Sequence, residues 1–321
     1  MSNNPIKALA GQTVIYGMGT IVPRLLNYLL VPLYTRVFAA GIYGQITDLY
    51  AWIAFLLALL TYGMETTFFR YTQKENPDKV FNNIVSCIIF TTSIFLVLYG
   101  FLYKSFAHLI QYEHNTQYVL LIGIIVALDA LTAVPFAKLR RLNKAKLFTI
   151  IKIANVALNI GLNLFFLCVI PETALAISEK VFGPQAGLLI WVLISNVLSS
   201  FLSLLLLLPQ FKGFRFELEK SMIRPMLAYS IPILLTSLVG MVNEVADKIL
   251  IKFLTPVPDA ETLATLGMTA EGYALRQLGI YGANFKLAVL MTIFIRCSVT
   301  LPSRSFSARR KTATLLSFTP K

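Results

Sequence analysis

The chain has 321 residues, of which 57% are hydrophobic and 13% charged, and its formal net charge is +13. A mean hydropathy of +0.72 excludes an ordinary soluble domain. In chain order, the predicted elements are apolar segments at 11–38, 43–69, 81–103, 118–137, 147–170, 186–208, 227–254 and 278–295. Each approaches or exceeds the about 20 residues that a helix needs to cross the hydrocarbon core. We therefore predict an all-α polytopic membrane protein with about eight transmembrane helices.

Basic residues are concentrated on every second loop. The N-terminus and the even-numbered loops carry Lys7, Arg70, Lys74, Lys79, Lys138, Arg140, Arg141, Lys144, Lys146, Lys212, Arg215, Lys220 and Arg224, whereas the first, third and fifth loops carry only Arg36, Lys104 and Lys180. The positive-inside rule therefore predicts a cytoplasmic N-terminus and cytoplasmic even-numbered loops. Because the charge follows topology, it favours attraction to anionic membrane lipids and does not indicate nucleic-acid binding.

The sequence gives little support for a disulfide framework, a metal site or a catalytic motif. Cys87, Cys168 and Cys297 are odd in number and far apart, so no disulfide framework is predicted. His108 and His114 lack a cluster of further metal ligands, so no metal site is expected. The sequence has neither a phosphate-binding glycine loop nor a nucleophile motif. We predict no cofactor and no catalytic residue.

Ionisable side chains inside the apolar segments are the main functional signal. Eight of them are taken as candidate site residues: Arg24, Glu65, Arg70, Asp129, Glu244, Asp247, Lys248 and Lys286. Each costs at least about 2.5–3.5 kcal/mol at mid-membrane unless it has a partner or faces water. Arg70 and Lys286 can also reach an interface by extending their side chains, and Asp129 can simply hydrogen-bond a neighbouring helix.

The densest group lies in the seventh segment, where Glu244, Asp247 and Lys248 share a helical face. Two interpretations stay open. Glu244 precedes Lys248 by four residues, which favours an ion pair within the helix. Alternatively, the group lines a polar lumen that several helices share.

The fifth segment carries a polar stripe of Asn155, Asn159 and Asn163, one residue every fourth position. Amides at this spacing hold transmembrane helices together, at about 0.6 kcal/mol for each hydrogen bond. We predict that these residues pack helices and do not contact substrate.

Short motifs recur in order along the chain. They are VPLYTR at 31–36, GIYG at 41–44, GME at 63–65, FR at 69–70, PFAKLR at 135–140, NLF at 163–165, SIP at 230–232, NE at 243–244, DK at 247–248, GIYGA at 279–283 and KLA at 286–288. In this order and spacing the chain resembles the bacterial polysaccharide flippases, the O-antigen and capsule translocases of the multidrug/oligosaccharidyl-lipid/polysaccharide exporter superfamily. The resemblance covers the N-terminal part of that family.

The resemblance implies a two-lobe exporter in the bacterial inner membrane. Residues 1–210 would form the N-terminal six-helix lobe and 211–226 a cytoplasmic linker between lobes. Residues 227–295 would supply the first two helices of an incomplete C-terminal lobe. The implied activity is flipping of an undecaprenyl-pyrophosphate-linked oligosaccharide for surface polysaccharide such as lipopolysaccharide. Membrane lipids and the glycan assembly enzymes are implied partners.

The same resemblance suggests roles for the intramembrane charges. The anionic headgroup would be bound by Arg24, Arg70, Lys248 and Lys286. Glu65, Asp129, Glu244 and Asp247 would support these cations or carry a coupling ion. Two rivals remain: a multidrug/cation antiporter of the same superfamily, which would need an acidic lumen, and a membrane glycan polymerase or ligase, which would need large catalytic outer loops.

The character of the sequence changes at Ile295. The last 26 residues, 296–321, contain six basic residues and no acid. The related flippases tend to continue with the sequence FRYAAEPFFF, and a shifted reading frame beginning at the third base of the Arg296 codon can encode it. We therefore expect a truncating frameshift here, with a basic, disordered and functionless tail and about six further spans in the other frame.

The coding DNA tests this expectation directly. Translation of the shifted frame after Ile295 should give further apolar segments of about 20 residues, each long enough to span the membrane. An early stop codon in that frame, or polar sequence only, would refute the frameshift.

Overall fold

The computed structural model describes residues 21–23, 25–184, 186–289 and 291, and throughout these ranges the regular structure is helical. After helical residues 21–23 and 25–28 come α1 (Leu30–Val37), α2 (Ala40–Thr61), α3 (Met64–Tyr71), α4 (Pro77–Leu109), α5 (Thr116–Arg141), α6 (Ala145–Leu164), α7 (Pro171–Phe182), α8 (Leu189–Leu207), α9 (Lys220–Leu254), α10 (Ala260–Leu266) and α11 (270–289).

Six stretches of the described chain are long and apolar enough to cross a membrane. They are Ala40–Tyr71, Pro77–Leu109, Glu113–Arg141, Ala145–Val169, Leu189–Phe211 and Lys220–Leu254. They coincide with the second to seventh predicted segments, which confirms an all-α polytopic membrane protein. The first and eighth predicted segments extend into residues outside the described ranges, as do Arg24 and the whole tail 296–321.

The second span consists of two helices. Between α2 and α3, Tyr62 and Gly63 both adopt left-handed backbone conformations, with φ of 31° and 71°. A Cβ at Gly63 would lie 2.7 Å from the side chain of Ile233 in α9. Glycine therefore permits both the turn and the close approach of α9.

The connection after the fifth span, which was predicted to be a loop, contains a helix. A π-helical turn, Phe165–Val169, closes the span, and α7 begins directly after it at Pro171. Proline suits this first helical position because its fixed φ is already helical. The indole N–H of Trp191 donates to the carbonyl of Ala174 at 2.9 Å, which ties α7 to α8.

α5 is the centre of the bundle that the first spans form. It packs against α2, α4 and α8, and Ile122, Ile125 and Val126 are fully buried in these contacts. The Tyr99 hydroxyl of α4 donates to the carbonyl of Val119 at 2.8 Å. A polar partner for the tyrosine is thus supplied by backbone within an otherwise apolar interface.

The helices α9 and α11 pack onto this bundle through α2. α9 lies along α2 and α3, and α11 crosses α2 where two glycines meet. A Cβ at Gly44 would lie 1.9 Å from the carbonyl oxygen of Leu275, and one at Gly279 would lie 1.9 Å from that of Ala40. Backbone therefore touches backbone at this crossing, and no side chain fits.

Gly44→Ala should separate α2 from α11. Overpacking of this kind costs about 1–3 kcal/mol, which should lower the melting temperature of the detergent-solubilised chain. Gly100→Ala is the matched control, because a Cβ at Gly100 in α4 meets nothing within 4 Å. Alanine is the better helix former, so the control should be neutral or stabilising. Equal melting temperatures for the two variants would contradict the close crossing.

Candidate functional site

A cavity of about 330 Å³ lies between α2, α9, α11 and the helical residues that precede α1. Its polar lining consists of Asn27, Tyr28, Thr47, Tyr50, Glu244, Lys248 and Lys286. Apolar side chains such as Ile46, Met241 and Val289 supply much of the remaining wall. Three residues of the predicted site, Glu244, Lys248 and Lys286, therefore meet at one cavity.

Lys248 is held by groups around it. Its Nζ donates to the backbone carbonyl of Glu244 at 2.5 Å and to Asp247 Oδ1 at 3.1 Å. It also lies 4.1 Å from the ring centroid of Phe285. The ion pair within this helix is therefore with Asp247, and Glu244 contributes its backbone.

Asp247 is fixed in turn from the neighbouring helix. The hydroxyl of Tyr281 in α11 donates to Asp247 Oδ2 at 2.5 Å. The carboxylate thus joins α9 to α11 while it orients Lys248. Glu244 lines the cavity together with Lys248 and Lys286.

Lys286 is the less constrained cation. Among the described residues, no carboxylate lies within ion-pair distance of it; the nearest ring is that of Tyr43, with Nζ 5.7 Å from the centroid. Lys248 adds a second positive charge nearby. Two neighbouring ammonium groups with only one close carboxylate favour an anionic guest.

The structure places other predicted site residues elsewhere. Glu65 pairs with Arg140, at the junction of α3 and α5. Arg70 stacks on the ring of Tyr229, 4.1 Å from its centroid, and does not line the cavity. Asp129 interacts with Ser200 of α8 and with the charge of Lys152 in α6.

The asparagine stripe of α6 faces other helices. Asn155 donates to the Ser199 carbonyl at 2.8 Å and to Ser203 Oγ at 2.9 Å, both in α8. Asn159 reaches Ser199 Oγ at 3.3 Å. Asn163 accepts from the Tyr34 hydroxyl of α1 at 3.0 Å. These bonds support the packing interpretation.

Sequence reasoning missed a fully buried ion pair. Lys252 Nζ of α9 lies 2.7 Å from Asp48 Oδ2 of α2, and both side chains are 0% exposed. Lys252 also donates to the Ile110 carbonyl at 2.6 Å. The Tyr112 hydroxyl donates to the same Asp48 oxygen at 3.0 Å. The lysine ammonium lies 4.2 Å from the centre of the Tyr112 ring. We call these residues the Asp48–Lys252 cluster.

A signal for this pair exists in the sequence. Asp48 and Lys252 are opposite charges inside the second and seventh predicted segments, and each lies near the end predicted to face outward. Charges at the same membrane depth can pair across helices. Their separation of 204 positions hides the relation from any pattern of local spacing.

This arrangement has the charges to bind an anion. Across the described ranges, no group of three or more His, Cys, Asp or Glu side chains could hold a metal ion. The cavity combines the ammonium groups of Lys248 and Lys286 with the Glu244 carboxylate, two tyrosines and the amide of Asn27, beside apolar walls. Such a lining suits a ligand with an anionic headgroup and polar substituents attached to an apolar part.

The fold defines a multi-pass helical membrane protein, and its cavity is lined by two lysines and one glutamate. The profile of the family described as "Polysaccharide biosynthesis protein" matches residues 9–303. The chain belongs to this polysaccharide biosynthesis family, which confirms the resemblance that the motifs indicated. Neither a curated protein nor a solved structure matches the chain.

Lys252→Met should destabilise the fold strongly, because it leaves the Asp48 carboxylate buried without its cation. Loss of one partner of a buried pair costs about 3–5 kcal/mol, whereas replacement of both by apolar residues is often neutral. The free energy of unfolding in mixed micelles should therefore fall for Lys252→Met and recover in Asp48→Leu/Lys252→Met. Lys180→Met, at an exposed position, is the control. A double variant as unstable as the single one would refute the coupling.

Proposed function

We propose that this protein is a transporter that carries a lipid-linked oligosaccharide across the bacterial inner membrane for surface polysaccharide synthesis. Its family supports a role in polysaccharide biosynthesis. The single observation that carries the finer proposal is the cavity in which Lys248 and Lys286 lie together. The anionic cargo would be an undecaprenyl pyrophosphate that bears the glycan.

The chemistry of the cargo fits this site. A pyrophosphate is expensive to move through hydrocarbon, and two ammonium groups would offset that cost by charge-assisted hydrogen bonds. Lys248 would contribute a fixed charge, since Asp247 and the Glu244 carbonyl orient it. Lys286 would contribute the adaptable charge. The polyprenyl tail would stay in the lipid while the sugars pass through the cavity.

The same charges favour this cargo over the rival one. A cation antiporter needs net negative charge where its substrate binds. The cavity lining has one carboxylate, Glu244, and two ammonium groups, Lys248 and Lys286. The lining is thus better suited to an anion.

The proposal includes the arrangement of the chain in the membrane. Residues 1–210 would form one lobe with the N-terminus in the cytoplasm, and 227–295 would begin a second lobe after the linker 211–226. The cavity would then lie between the lobes, because its lining comes from the first two spans on one side and from the seventh and eighth on the other. Such a site, between two halves that move relative to each other, is common in transporters.

Binding of undecaprenyl pyrophosphate to the purified chain in lipid nanodiscs tests the site. Lys286→Gln should weaken binding by at least about tenfold, since a hydrogen bond to a charged group contributes about 1.5–3 kcal/mol. Lys180→Gln, a substitution of an exposed lysine away from the cavity, should bind like the unaltered chain.

Undecaprenol, which has the same tail without phosphate, is the ligand control and should bind more weakly than the pyrophosphate. Equal affinity for the two lipids, or for Lys286→Gln and the unaltered chain, would overturn the proposed site. Transport itself is then tested in a flippase-deficient strain that expresses the same variants. Surface glycan should fall for Lys286→Gln and not for Lys180→Gln.

A further inference from the structure

We propose that Asp48 and Lys252 are the outer gate residues of the cavity, an ion pair that is formed while the cavity is closed to the outer side and that breaks when cargo leaves there. The inference rests on the proposed transport function. It assigns a role to two residues that lie outside the cargo site.

The pair lies directly beside the cavity. Lys252 follows Lys248 by one helical turn, and Asp48 follows Thr47 by one residue, and both Lys248 and Thr47 line the cavity. Residues four apart in a helix lie one above the other. The ion pair therefore borders the cavity on the side of α9, one turn beyond Lys248 toward the end at which α9 terminates, which the pattern of basic loops predicts to be the outer end.

Three distant parts of the chain meet at this point. Asp48 belongs to α2, Lys252 to α9, and the third part is the connection between α4 and α5. That connection supplies the Ile110 carbonyl at 2.6 Å and the Tyr112 hydroxyl at 3.0 Å. Separation of α9 from α2 would have to break all of these contacts together. The cluster thus holds α9 against α2 and against the connection between α4 and α5 through several contacts that must break together.

The physical chemistry of a buried ion pair suits a contact that must open. Burial of both charges carries a desolvation cost that nearly offsets their attraction. When the outer end opens, both charges become hydrated again, and the recovered hydration free energy compensates for the lost attraction. The closed and open states can thus lie close in free energy. Breaking the pair without opening leaves a buried charge and is unfavourable, so closure is all-or-none.

The opposite end of α2 has the features of a hinge. α2 ends at the left-handed pair Tyr62 and Gly63, against which Ser230 and Ile233 of α9 pack. Pro232 interrupts the helix hydrogen bonds of α9 at the same level. Hinges are commonly a few residues at the end of an element. The outer parts of α2 and α9 could therefore swing apart about this level while their inner parts stay packed.

Thiol labelling measures the gate without cargo. Ala54→Cys places a reporter in the cavity lining, in a chain whose own cysteines are replaced by alanine. A membrane-impermeant maleimide is added to the outer side of intact spheroplasts. Asp48→Asn keeps the shape of Asp48 and removes its charge. It should raise the rate of reporter labelling at least about tenfold, because loss of one partner of a buried pair exceeds the about 1.4 kcal/mol that a tenfold shift of the closed–open equilibrium requires.

Controls keep the result decisive. Labelling is expressed relative to total labelling in denaturant, and size-exclusion chromatography checks folding. Tyr112→Phe removes one hydroxyl and retains the ring, so it should fold and raise the rate about threefold, in line with the loss of one hydrogen bond. Lys180→Met should leave the rate unchanged. Labelling of folded Asp48→Asn and Tyr112→Phe at the unaltered rate would overturn the gate. Faster labelling from the cytoplasmic side alone would also overturn it.

The two proposals fail separately. Labelling does not depend on the cargo, so a wrong assignment of undecaprenyl pyrophosphate would leave the labelling result standing. Conversely, normal binding of that lipid together with unchanged labelling would remove the gate and keep the cargo site.

Discussion

The cost of a charge in hydrocarbon is the constraint on which the arrangement of this protein depends. Each ionisable group that the apolar spans carry must find a partner or face water. Asp48 meets this requirement with Lys252 from α9, and Asp247 meets it with Lys248 and with Tyr281 from α11. These contacts link the first spans to the seventh and the seventh to the eighth. Helix association in a lipid environment needs such specific contacts, because apolar side chains gain little by leaving lipid for one another.

Apolar length alone predicted the membrane architecture. The predicted segments 43–69, 81–103 and 227–254 fall within the observed spans Ala40–Tyr71, Pro77–Leu109 and Lys220–Leu254. The local details were not predictable in this way. An apolar run does not reveal that left-handed residues divide the second span. The helix α7 was likewise not predicted, because the charged residues after position 170 resemble those of an irregular loop.

The candidate site was predictable in part for a related reason. Charges on one helix face are visible in the sequence, and so Glu244, Asp247 and Lys248 were identified as a group. The partners from other helices depend on how the helices pack, which local spacing does not encode. Arg70 was therefore assigned to the same site although it stacks on Tyr229. The Asp48–Lys252 cluster escaped notice because its members are far apart in the chain.

The crossing of α2 and α11 has a consequence for motion. Gly44 and Gly279 bring backbone against backbone, and glycine has no rotamers to lose when a contact forms. A crossing lined by leucine or phenylalanine would have to repack interlocked side chains each time the helices shifted. Small rotations of the two helices about the glycines need no such repacking, whereas a shift in register would bring a neighbouring Cβ against backbone. The crossing is thus suited to act as a pivot whose register stays fixed.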